Sequence, residues 1–276
     1  VEYPRRIVCL TDETSETLYL LGEQDRIVGV SGFCTRPAEV RQKPRVSTFS
    51  DANLDAIAAL QPDLVLTFCD VQAEITRQLV LSGLSVLNFN QRSVTGIFDM
   101  IGLLSRIVGR QREGEELIAQ LRRGLDAIAA SAQQFAFRPR VYFEEWHDPL
   151  VSGIAWVDEL VEIAGGTLVF PELRSRGKAR DRVIEADEVV RRDPEVIFAS
   201  WCGMKVKTGD IAARPAWNAI SAVRNSHIYE IPSTIILQPG PAALTEGVRM
   251  LHARLAEVVA ASGSRTEASP APVNFG

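Results

Sequence analysis

The sequence predicts an α/β protein of two Rossmann-like lobes, each built on a parallel sheet, joined by one long backbone helix. Three observations carry that reading. Short apolar runs such as "RIVCL", "DLVLTF" and "EVIFAS" alternate with short helical segments, the order expected of parallel strands covered by helices. Residues 94–134 then keep a helical periodicity over about forty residues, far longer than a crossover inside one small lobe. Finally, one phrase occurs twice: "NLDAIAALQPDLVLTF" at residues 53–68 and "EADEVVRRDPEVIFAS" at residues 185–200. Setting Pro62 on Pro194 gives an offset of 194 − 62 = 132, which places Asp55 on Asp187, Ile57 on Val189 and Leu64 on Val196. Each copy reads as a short amphipathic helix, a turn marked by Pro and a buried strand, so two similar lobes are expected.

The elements follow in order. "RIVCL" (6–10) is the first strand, on its β-branched apolar content. "ETSETLYLLG" is a helix, with Thr14 or Ser15 as its cap and Gly22 as its stop. "RIVGVS" (26–31), "DLVLTF" (63–68) and "SVLNFN" (85–90) are three more strands, with "EITRQLVLSG" helical before the last. Ile97, Ile101, Leu104 and Val108, then Leu117, Leu121, Leu125 and Ile128, recur at helical spacing. The pattern breaks near Gly109, so this stretch is one bent helix or two in succession. "RVYFEEW" restarts the alternation, followed by the helix "WVDELVEIAGG", the second copy of the repeat, "SHIYEI", and a last helix "ALTEGVRMLHARLAEVVAA". The expected division is a lobe over 1–93, the connecting helix over 94–134, a second lobe over 135–261, and a Ser-, Pro- and Ala-rich disordered tail over 262–276.

At 276 residues and 46% hydrophobic, the chain can bury a core in each of two lobes. Thirty Lys+Arg against 35 Asp+Glu leave a net charge of −5, without the basic excess that nucleic-acid binding needs, so no nucleic-acid partner is expected. No apolar run is long enough to span a bilayer. The opening "VEYPRRIVCL" enters a strand without a charged and apolar leader, so an export signal either was removed or never existed. Cys9, Cys34, Cys69 and Cys202 are scattered without metal-site spacing and read as unpaired structural cysteines.

An enzyme is the default reading for alternating α/β, yet GxGxxG, GxxxxGK[ST] and GxSxG are all missing. His147, His227 and His252 are far apart and form no metal-binding pair. No catalytic residue and no metal site are assigned. His147 in "EEWHDP" differs from the other two because it follows the strand "RVYF" at the end where α/β sheets bind ligands. Aromatic residues recur at such ends: Phe33, Phe49 and Phe68 in the first lobe, Trp146 and Trp201 in the second, with Trp156 opening a helix. Singly each reads as a side chain packed under a loop; together they read as an apolar cleft for a large, flat ligand. The basic run "RSRGKARDR" (174–182) reads as a solvated loop, or as a rim attracting an anionic ligand.

The stretches "VSTFSDANLDAIAALQPDLVLTF", "RIVCLTDETSETLYLLG" and "LVSG…VDELVEIAGG" resemble the class III periplasmic solute-binding proteins of ABC importers, and among them the vitamin B12 (cobalamin)-binding proteins. The resemblance runs from residue 5 to about 260. It implies the helical-backbone metal-receptor fold, with ligand held in the cleft between the lobes. It implies Phe33, Phe49 and Phe68 as ligand-binding residues of the first lobe and Trp146, His147 and Leu150 of the second; Ser50, Trp156 and Trp201 complete the candidate ligand-binding set. It also implies that one acidic residue on each lobe docks into arginine pockets of the membrane subunits; the matching positions are Asp55 and Asp187. The cobalamin-binding members have Glu at both places.

The resulting expectation is a non-enzymatic, monomeric substrate-binding component of an ABC importer, partnered by the transporter's membrane subunits. It has no cofactor of its own and carries a corrinoid or an iron complex. A ferric siderophore, haem or an oxyanion complex is the alternative cargo. The expected location is periplasmic or extracytoplasmic and membrane-anchored. A cytoplasmic ligand-binding protein of the same fold, and a chelatase-like enzyme, are the competing classes.

Overall fold

The computed structural model describes residues 2–267 and places them in two compact units. One unit runs to Gly124 and takes back Ser233–Thr245; the other holds Leu125–Pro232 and resumes at Glu246.

The first unit is a five-stranded, wholly parallel sheet. Its strands are β1 (Ile7–Cys9), β2 (Ile27–Ser31), β3 (Arg45–Ser47), β4 (Leu64–Phe68) and β5 (Val86–Phe89), in the order β3-β2-β1-β4-β5. Helices α1 (Asp12–Leu20), α2 (Leu54–Ala59) and α3 (Ala73–Leu81) alternate with the strands. β1 and β4 are buried along their whole length, as their unbroken apolar runs require of strands covered on both faces. The chain winds outward from β1 to β3 and then returns to the other side of β1. β1 and β4 therefore flank a switch point, where an open α/β sheet leaves a crevice beyond its strand ends.

Of the two readings of 94–134, the structure has two helices in succession: α4 (Val94–Ile107) and α5 (Gln111–Ala132). Gly109 sits at φ +74 between them, and Arg110 N–H returns to the Ser105 carbonyl at 2.7 Å, a left-handed C-cap that closes α4. A Cβ on Gly109 would also lie 2.6 Å from the Tyr3 ring. The boundary at Gly124 and Leu125 falls inside α5.

The second unit contains β6 (Arg140–His147), β7 (Leu150–Ser152), α6 (Ala155–Ile163), β8 (Thr167–Leu168), α7 (Ala186–Arg192), β9 (Val196–Ala199), α8 (Thr208–Ala212), α9 (Ser221–Arg224) and β10 (Ile228–Glu230). Its sheet runs β10-β9-β6-β7, with β8 beside the start of β6. All pairs are parallel except β6 with β7, which form a hairpin through Asp148 and Pro149. Its core gathers Tyr142, Phe170, Trp217 and Ile197. After β10 the short α10 (Ser233–Ile236) and the chain to Thr245 rejoin the first unit. There Gln91 Nε2 donates to the Pro239 carbonyl at 3.1 Å and Ala242 N–H to Glu16 Oε2 at 3.1 Å. That return corrects the expectation that 135–261 form one lobe; partners 148 and 226 residues away leave no local trace. The last helix, α11 (Val248–Glu267), continues past the boundary expected at 262; the rest of the expected tail lies outside the described residues. No helix among the described residues is long and apolar enough to cross a membrane.

The repeat is structural as well as textual. Gln61 (φ 47) and Asp193 (φ 44), 132 residues apart, both take the left-handed conformation uncommon for a non-glycine residue, each just before the paired Pro. The acid after each Pro then clamps the entry of a neighbouring strand. Asp63 accepts from the backbone N–H groups of Arg5 and Arg6 at 2.7 and 3.0 Å, and Glu195 from that of Arg140 at 2.8 Å.

Candidate functional site

In the first unit, the strand-end loops at the switch point are tied together by one buried side chain, Gln72. Its Nε2 donates to the Leu10 carbonyl after β1 (3.2 Å) and to the Phe49 carbonyl after β3 (2.9 Å), and its Oε1 accepts from Phe68 N–H at the end of β4 (3.0 Å). Gly32 N–H donates to the Ser47 carbonyl at 2.7 Å, joining the ends of β2 and β3. Phe33 is 43% exposed, Phe49 half-buried and Ser50 exposed. Phe68 differs: it is 5% exposed, with the Arg92 guanidinium 5.8 Å over its ring. It supports the loop rather than offering a surface.

At the start of α1, against the same strand ends, Asp12 and Glu13 are buried. Burial, with the Glu16 charge adding to it, pushes the Asp12 carboxyl up to about 7 although Thr35 and Arg36 N–H groups reach it. Burial pushes Glu13 up to about 7 as well, against a 2.7 Å hydrogen bond from Thr11. A Cβ on Gly240 would fall 2.5 Å from the Glu13 Cβ, so the returning segment packs on this acid at a position only glycine fits.

In the second unit, the end of β6 brings three of the expected aromatics together. The His147 ring lies 5.0 Å from Trp146 and 4.4 Å from Trp201, centroid to centroid. Trp146 and His147 are half-buried; Trp201 is buried and presents its ring to His147. The Trp201 indole donates to Glu144, a wholly buried carboxylate paired with Arg214. Trp156, expected to contact ligand, is instead 2% exposed on α6 beside Val157, Leu160 and Val161, the apolar face that forms the core. The basic run is only partly a rim. Arg174 pairs with Glu162 at 2.7 Å, and Arg182 is buried against Glu145 and the carbonyls of Ser152 and Gly153. Lys178 and Arg180 are exposed.

Asp55 and Asp187 are both exposed, each the second residue of its helix. Asn53 caps α2 by accepting from Ala56 N–H at 2.9 Å, so Asp55 is not needed as the cap.

A family pattern described as periplasmic binding protein matches residues 7–235. The chain belongs to that family. Among its relatives, the vitamin B12-binding protein of Vibrio campbellii is 28% identical over 240 residues, covering 85% of this chain and 84% of its own. An uncharacterized ABC transporter substrate-binding lipoprotein of Bacillus subtilis is 26% identical over 261 residues, covering 90% and 79%. The structure of S. aureus IsdE complexed with heme superposes with a TM-score of 0.78 at 20% identity, over 92% of this chain and 99% of that one. At that identity the likeness establishes the fold.

Sequence reasoning missed Gln72, Glu144 and Arg214. Glu144 left a faint signal: "RVYFEEW" places an acid inside an otherwise apolar strand, and a buried acid demands a cation or donor somewhere in the fold.

Proposed function

We propose that this chain is the substrate-binding component of an ABC importer, acting outside the cytoplasmic membrane as a monomer, and that its cargo is a corrinoid of the cobalamin class. The observation that carries the cargo reading is the Trp146–His147–Trp201 face at the end of β6. The half-buried Trp146 and His147 rings, backed by the buried Trp201, suit a large, flat, partly apolar ligand. The half-buried Phe49, the exposed Phe33 and Ser50 are the first unit's proposed contacts. Among flat ligands, the sequence likeness to a vitamin B12-binding protein favours a corrinoid. The transport reading is supported by the family, by the Bacillus relative, and by the matched carboxylates Asp55 and Asp187, which suit docking to arginines. The protein acts by binding and release, with no chemical step and no cofactor of its own.

One observation favours a second reading. His147 is a half-buried imidazole beside Trp146 and Trp201, a side-chain type that can ligate the iron of a tetrapyrrole. Titration followed by absorbance separates the two. The corrinoid reading expects saturable binding of cyanocobalamin with haemin and ferric siderophore weaker by at least about tenfold. Saturation by haemin alone, with a Soret shift lost in His147→Ala, selects the second.

A further inference from the structure

We propose that Glu144 and Arg214 are positioning residues: their ion pair at the end of β6 fixes the Trp201 indole, and through it the His147 imidazole, as one rigid face. The use of that face for cargo rests on the reading above. The fixation itself is a property of the ligand-free protein.

Every acceptor site of the Glu144 carboxylate is aimed. Oε1 receives Trp201 Nε1 at 3.1 Å and Arg214 Nη2 at 2.9 Å; Oε2 receives Arg214 Nη1 at 2.6 Å and the Tyr142 hydroxyl at 3.2 Å. Burial and the neighbouring Glu144 hold the Tyr142 phenol well above its ordinary range, so it stays a donor. The Glu144 carbonyl also accepts from Ser200 N–H at 2.9 Å, so one residue holds both the main chain and the side chain at the end of β9. On its other side the Arg214 guanidinium lies 4.5 Å over the Trp217 ring.

A buried ion pair is a weak way to add stability, since apolar side chains of similar volume often do as well. Its distinctive property is direction. Trp217 makes the contrast inside the same unit: its ring fills the core with 0% exposure, and its Nε1 has no hydrogen-bond partner. The fold therefore accepts an unbonded indole where only volume matters, and bonds the indole that meets His147. His147 Nδ1 has no partner either, so the imidazole is held by its ring contacts, tilted at 33° to Trp201 and at 49° to Trp146. Fixing rings before ligand arrives lowers the ordering cost of binding.

The test uses the full chain. Glu144→Met with Arg214→Met replaces the pair by apolar side chains of similar volume and leaves Trp201 in place; Arg214→Lys keeps the charge and loses the two-pronged contact. The readouts are the imidazole C–H resonances of His147 without ligand, which sense the Trp201 ring current, and the Kd for cyanocobalamin. The double variant is expected to shift those resonances toward free-histidine positions and to raise Kd by about tenfold, with Arg214→Lys intermediate in both. A folded double variant with unchanged His147 resonances overturns the proposal. If the double variant does not fold, Glu144→Gln, which keeps an acceptor for Trp201 but discharges the pair, must still move the resonances; no movement overturns it equally. Failure of wild type to bind cyanocobalamin removes the cargo reading and leaves the resonance test standing.

Discussion

Asp55 and Asp187 occupy the same place in two copies of one structural phrase: each is the second residue of a short helix that ends in a left-handed residue, a Pro and a buried strand. Both carboxylates are exposed, and neither caps its helix through a side-chain hydrogen bond. Replacing either by Ala should change stability by less than about 1 kcal/mol, the scale of a lost helix-dipole interaction, and leave cargo affinity unchanged. Stimulation of the reconstituted transporter's ATPase should fall in each single variant and fall further in the double. Full stimulation by the double variant would reduce the repeat to shared ancestry of the two units.

Gln72 should matter to both stability and binding. Gln72→Leu leaves the Phe68 N–H and the Leu10 and Phe49 carbonyls without their partner, at roughly 1–3 kcal/mol for each group that water cannot reach. Urea unfolding should show the loss, and hydrogen exchange should quicken at Phe68. A variant as stable as wild type would mean that the loops hold themselves.

Phe49→Ala and Trp146→Ala should each weaken cargo binding by about 1–3 kcal/mol in calorimetric titration while the protein stays folded, because both rings are half-buried rather than core. Trp156→Phe should leave the Kd unchanged, since that ring is in the core of α6. The opposite ranking would return the assignment to Trp156.

The contrast between these residues marks what the sequence could carry. Strands such as Leu64–Phe68, and the repeat around Pro62 and Pro194, were legible because their signals are local: apolar runs, a Pro and a short helix within sixteen residues. The placement of Asp55 and Asp187 followed from the same phrase. The return of Ser233–Thr245 to the first unit was not legible, because Gln91 and Glu16 are its partners. Glu144 could be noticed as an acid in a strand, yet nothing near it names Arg214, seventy residues on. Trp156 misled because a tryptophan at the start of a helix reads alike whether it faces ligand or core. Only packing separates the two.

Burial of Asp12 predicts a pH signature. Its folded-state carboxyl lies at about 7, whereas an unfolded Asp titrates near 3.9. Between these values the folded state holds the extra proton, so this contribution is full below about pH 4 and is lost as pH rises through about 7. Glu13, also at about 7, acts in the same direction. Asp12→Asn keeps an acceptor for the Thr35 and Arg36 N–H groups and removes the titration. The stability of wild type relative to this variant, from urea melts, should fall by on the order of a few kcal/mol between pH 4 and 7. A difference that stays flat over that range would place Asp12 in a solvated setting.

The proposed cargo of this chain is a corrinoid. Native mass spectrometry of the full chain after incubation with an equimolar mixture of cyanocobalamin, haemin and a ferric siderophore tests it most directly. The predicted result is one added mass, that of cyanocobalamin, at one per chain, replaced on competition with excess of a corrinoid of different mass and strongly reduced in Trp146→Ala. A spectrum in which the chain carries haemin or the siderophore, or stays bare while correctly folded, would contradict it.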